Sequence, residues 1–138
     1  MPESRTHMDY VNRIVSYIEN SFFKIDISLL AIDSPESEYK PSQVVGLAVP
    51  DVCYTTRELS IIGEAKTEHD ISNNHTKKQI NAYIDYLRLQ SREKHLILCS
   101  SMYSFPSLKN YFIRYKRSNN INDITIHIID DLDREVTI

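Results

Sequence analysis

The sequence predicts a single α/β domain with a mixed central sheet and helices on its faces. Apolar stripes at the helical period of about 3.6 alternate with β-branched runs of strand length, in the order α-β-β-β-α-β-α-β. The strand, helix, strand unit in the C-terminal half needs a crossover connection, which implies some parallel pairing. The chain has 138 residues, enough for one domain with a real core.

A first helix is expected from Met8 to Phe22, where Val11, Ile14, Val15, Ile18 and Phe22 form one stripe. Glu19 falls at the edge of that stripe, where a side chain can reach into a cleft. Ile25 to Ile32 reads as a first strand, rich in β-branched residues. Asp33 to Ser42, with Pro35 and Pro41, reads as a loop. Val44 to Tyr54 is the second strand region, bent near Gly46 or Pro50. Thr55 to Glu58 is a turn and Leu59 to Lys66 the third strand. A second helix is expected from Ser72 to Gln90, with Ile80, Tyr83, Ile84 and Leu87 inward. His95 to Cys99 is a buried fourth strand. Ser104 caps a third helix with Pro106 in its first turn, burying Leu108, Tyr111, Phe112 and Tyr115. Asp123 to Asp130 is the last strand.

Composition narrows the function classes. The apolar and charged fractions, 41% and 25%, are those of a soluble globular protein. The apolar runs are only strand length, so no membrane span is expected, and Met1 to His7 lacks the apolar core of a signal peptide. Cys53 and Cys99 stand far apart and read as small hydrophobes of a reducing, cytoplasmic compartment. A net charge of −3 argues against generic coating of nucleic acid, though a local basic patch can coexist with an acidic site.

The chemistry gathers on the third strand. Ile62, Glu64 and Lys66 occupy every second position and therefore share a face. With the turn centred on Thr56-Arg57, Asp51 pairs opposite Ile62 and is the diagonal neighbour of Glu64. A shift by one pair of residues sets Asp51 directly across from Glu64. Cross-strand Cβ atoms lie roughly 5 Å apart and diagonal ones about 7–8 Å, so either register lets both carboxylates grip one cation. Like charges so placed repel unless a cation lies between them. Oxygen ligands with room for water suit Mg²⁺ or Mn²⁺. The carbonyl of Ala65 can add a ligand, and Glu19 a further carboxylate from the first helix. Lys66 stands where it can stabilise a phosphate's developing charge or position a water.

Pro50-Asp51, twelve residues, then Glu64-Ala65-Lys66 resembles the PD-(D/E)XK nuclease superfamily. The α-β-β-β-α-β order is also that superfamily's restriction-endonuclease-like core, so the resemblance covers about Met8 to Cys99. It extends to Glu19, and to the Gln-x-x-x-Tyr spacing of Gln79 and Tyr83 seen in some branches. By size and motif order, archaeal-type Holliday junction resolvases and small virus-type replication-repair nucleases are the most similar branches. The resemblance implies metal-dependent hydrolysis of DNA phosphodiesters, with Asp51 and Glu64 as ligands and Lys66 as the catalytic lysine. A domain this small covers little duplex, so a homodimer is the expected arrangement for two-strand or junction cleavage.

Other readings compete. Glu64 and Lys66 alone describe a solvated strand end, and Asp51 after Pro50 a turn. The same fold also serves as a non-catalytic nucleic-acid-binding or assembly module. His69, Asp70 and His75 match no common zinc spacing. His75, Lys77 and Lys78, near the second helix's N-terminus, are candidate phosphate contacts. Lys109, Arg114, Lys116 and Arg117, interleaved with Tyr111 and Tyr115, are a candidate DNA-facing patch, or else a solvated face with its tyrosines in the core.

Overall fold

In a computed structural model of the chain, described over residues 5–41, 48–67 and 74–138, one six-stranded mixed sheet separates a single long helix from two others. Helix α1 spans Arg5–Ser21, α2 Asn74–Arg88 and α3 Phe105–Asn119. The strands are β1 (Ala31–Ile32), β2 (Val52–Thr55), β3 (Leu59–Ala65), β4 (Glu93–Ser100), β5 (Ile124–Asp130) and β6 (Glu135–Thr137), and they lie in the sheet in chain order. Pairing is antiparallel from β1 through β3, parallel across β3, β4 and β5, and antiparallel at β6. Among the described residues no helix is long and apolar enough to cross a membrane.

The parallel centre is buried on both sides, as crossover helices require. Val11, Ile14 and Ile18 of α1 pack against Val52, Ile61, Ile97, Cys99 and Ile129. On the opposite face Ile80, Tyr83, Ile84 and Leu87 of α2, with Leu108 and Phe112 of α3, cover Ile62, Leu96, Leu98, Ile126 and Ile128. Helix α1 packs close against β3 at Gly63, where an added Cβ would lie 2.7 Å from Ile14 Cγ2. Helix α3 stops at Asn120, whose left-handed backbone (φ 53°) returns its N–H to the Lys116 carbonyl.

Four expectations change. Most of the first strand is absent: Asp26 accepts bonds from Ser28 N and Ser28 Oγ, which caps a 3₁₀ turn at Ile27–Leu29 and leaves only Ala31–Ile32 as strand. The second strand is shorter and lies later, and its expected start at Val44 and bend at Gly46 fall outside the described residues, as does Ser72. The turn closes on Arg57-Glu58, not Thr56-Arg57, because Thr56 N donates to the Leu59 carbonyl while Thr56 Oγ1 takes Leu59 N. A sixth strand also follows a turn through Asp133, which holds φ 61°.

Candidate active site

Moving the turn by one residue moves the register by a full pair. Val52 faces Gly63 and Cys53 faces Ile62, so the ladder continued by one residue sets Asp51 directly across from Glu64. The contacts agree. Asp51 N donates to Glu64 Oε2 at 3.2 Å, and Ala65 N donates to Asp51 Oδ2 at 2.8 Å. The two acids are only 6% and 3% exposed, which removes the solvated strand end as a reading of Glu64.

Helix α2 completes the cluster from the face that buries Ile62. Tyr83 OH donates to Glu64 Oε2 at 3.0 Å, and Lys66 Nζ donates to Gln79 Oε1 at 2.5 Å. The Gln79 and Tyr83 spacing thus places one contact on the lysine and one on the glutamate. Lys66 Nζ lies 3.4 Å from Glu64 Oε1. Burial first, and then the Asp51 carboxylate, push the Glu64 carboxyl up to about 8 against the opposing pull of Lys66. Burial and the Glu64 carboxylate also push the Tyr83 phenol up, so it stays a donor.

Two residues join that the sequence reading did not single out. His7 Nε2, in the first turn of α1, lies 3.2 Å from Asp51 Oδ1. Its signal is legible in retrospect, since His7 extends the stripe Val11, Ile14, Ile18 by one helical step. Asp33 N donates to the Asp51 carbonyl at 2.8 Å, and the β1–β2 register continued by one sets Asp33 opposite Asp51. Its charge raises the Tyr83 phenol pKa as well.

Glu19 does not join them. It is exposed near the C-terminal end of α1, beside Phe22 and Phe23, whereas the first turn of the same helix meets Asp51. Twelve residues at ~1.5 Å each put Glu19 roughly 18 Å from His7. Lys77, Lys78 and His75 are exposed on the first turn of α2. His69 and Asp70 lie outside the described residues. Tyr111 and Tyr115 pack against the α2–α3 core, and Lys116 Nζ is tied to the Ile124 and Ile138 carbonyls, so that helix presents its basic residues without an aromatic face.

Among the described residues no group of three or more His, Cys, Asp and Glu side chains has the arrangement of a preformed metal cage. The donor set nevertheless fits Mg²⁺, which uses one or two carboxylates and leaves its other positions to water and substrate phosphate. A cleft of about 560 Å³ between α1 and the β5–β6 turn shares no residue with this cluster. The cluster instead sits at the open C-terminal end of β3. Set against family models, curated proteins and solved structures, the chain matches none of them.

Proposed function

We propose that this chain is a PD-(D/E)XK-like, Mg²⁺- or Mn²⁺-dependent deoxyribonuclease that hydrolyses DNA phosphodiesters. One observation carries the reading: Asp51 and Glu64 stand as a buried, opposed pair, with Lys66 on the same face, held by Gln79 and Tyr83. The element order also supports it, since an antiparallel β1–β3 meander followed by a crossover through α2 to parallel β4 is the restriction-endonuclease-like arrangement.

Asp51, Glu64 and the Ala65 carbonyl would hold the cation, whose chemistry is to lower the pKa of a water and neutralise charge on phosphoryl oxygens. Lys66 offers its ammonium to the same phosphate, in a position fixed by Gln79. Tyr83 and the Asp51 N–H orient Glu64, and His7 and the Ala65 N–H orient Asp51. Lys77 and Lys78 contact neighbouring phosphates, and two copies acting as a homodimer would serve two-strand cleavage.

Cleavage of plasmid, linear, single-stranded and branched DNA, in Mg²⁺ or Mn²⁺, is the test. Glu64→Ala and Lys66→Ala should abolish it while the far-ultraviolet circular dichroism stays unchanged. Undiminished cleavage by either variant would sink the assignment. Calorimetry separates the non-catalytic alternative, because a nuclease binds Mn²⁺ at a site that Asp51→Ala removes.

A further inference from the structure

Tyr103 is 72% exposed, on a loop built to hold it still. The residue before it is tied at both backbone groups by the β5–β6 turn. Met102 N donates to Asp131 Oδ1 at 2.9 Å, and the Met102 carbonyl accepts from Arg134 Nη2 at 2.9 Å. Arg134 is itself fixed, by the buried Asp130 carboxylate at 2.6 Å and by stacking 4.9 Å over the Phe105 ring. On the other side Ser104 N donates to the Ser101 carbonyl at 3.1 Å. A large ring on a braced backbone loses little conformational entropy when a flat partner lands on it.

The loop's position says which partner. It leaves the C-terminal end of β4, and the parallel register places Ala65 beside Cys99, with Lys66 N bonded to the Cys99 carbonyl. Strand spacing of ~4.8 Å plus three Cα steps of ~3.8 Å puts the Tyr103 Cα within about 16 Å of the Lys66 Cα. That is about five nucleotides at the ~3.4 Å spacing of one DNA strand. The loop leads into α3, which packs on the same sheet face as α2, whose Gln79 holds Lys66, and Lys77, Lys78 and Lys109 are exposed on those two helices.

Resting on the nuclease reading above, we infer that Tyr103 stacks on an unpaired base within about five nucleotides of the cleaved phosphate, so that the substrate is DNA with unpaired nucleotides in that stretch. A base inside intact duplex offers its face to its neighbours and not to a side chain, so along the interior of a duplex the ring gains nothing.

The test is fluorescence anisotropy on full-length Lys66→Ala protein in Mg²⁺, which keeps the DNA uncleaved. The probes are a labelled single strand, the same sequence with a frayed end, and its blunt duplex. Adding Tyr103→Ala should weaken single-strand and frayed-end binding by about 5- to 150-fold, the range of one lost base–aromatic stack. Blunt-duplex binding should hardly change, and Tyr103→Phe should keep the parent affinity on all three. Equal losses on every probe, or no loss on any, would overturn the inference while leaving a DNA-cleaving wild type, and with it the nuclease reading, intact. A parent that binds none of the three DNAs would overturn the inference, and together with a wild type that cleaves none of them it would overturn both.

Discussion

Replacing Glu64 by Gln tests the strain at the cluster without any need for metal or DNA. The Glu64 carboxyl is pushed from its ordinary value of 4.5 up to about 8, by burial first and by Asp51 second. A carboxyl with a raised pKa in the fold contributes stability that is fully present below the unfolded value and is lost as pH rises. Between pH 4.5 and 8 the folded chain keeps a proton that the unfolded chain has released, so this residue lowers stability by about 1.4 kcal/mol per pH unit. Over the interval from 4.5 to pH 7 the loss reaches on the order of 3 kcal/mol, a large part of the ~5–15 kcal/mol that holds a typical domain together. Gln has nearly the shape of the protonated acid, and its carbonyl can accept from Asp51 N and Tyr83 OH, so the variant should fold and lack this slope. Urea unfolding of both proteins at half-unit steps across that window gives the answer. The variant should gain on wild type steadily as pH rises, by about 3 kcal/mol at pH 7. Parallel pH profiles would show that Glu64 is an ordinary ionised glutamate, and the account of the cluster would fail.

Two other outcomes follow from groups elsewhere in the fold. Gly63→Ala would bring a Cβ to 2.7 Å from Ile14 Cγ2 and 3.2 Å from Val52 Cβ, so urea midpoints should report a loss of about 1–3 kcal/mol as α1 is pushed off β3. His127 and His95 share a 2.8 Å ring-to-ring hydrogen bond under α1. Burial and then His95 hold the His127 pKa down to about 4, and burial lowers that of His95. Both are neutral in the fold, so their contribution is intact above the ordinary value of 6.5 and is lost as pH falls from there towards 4. His127→Phe should flatten that acid limb of the unfolding profile relative to wild type, and an unchanged limb would argue against it.

The helices were legible because each buries one stripe, and Ile80, Tyr83, Ile84 and Leu87 are buried as their spacing requires. The face shared by Ile62, Glu64 and Lys66 was legible because strand parity allows nothing else. What was not legible depends on side chains that compete for backbone bonds. Thr56 moved the turn by taking Leu59 N, and Asp26 dissolved most of a β-branched strand by capping a 3₁₀ turn. Either parity-preserving register kept Asp51 on the right face, and only the turn chemistry chose between them. Glu19 misled because the edge of a stripe says nothing about which end of the helix meets the site. His7 sits on the extension of the stripe itself, at the end that does.

The cluster has a charge pattern that a purely structural ion pair lacks. Asp51 and Glu64 are both nearly inaccessible, and burying a carboxylate costs several kcal/mol. Against the two acids stand Lys66, which also serves Gln79, and His7, which balances the second acid only when protonated. One step back along the same face, Ile62 fills its place with apolar surface at no such cost. If stability alone had shaped β3, Glu64 could have followed Ile62. Instead the fold brings α1, β1, β2, β3 and α2 to one end of the sheet and sets their polar groups around two acids that cannot both ionise there without repelling each other. Strain of this kind persists where it is useful. On the proposed nuclease reading, a divalent cation would relieve it and leave Lys66 to face a phosphate.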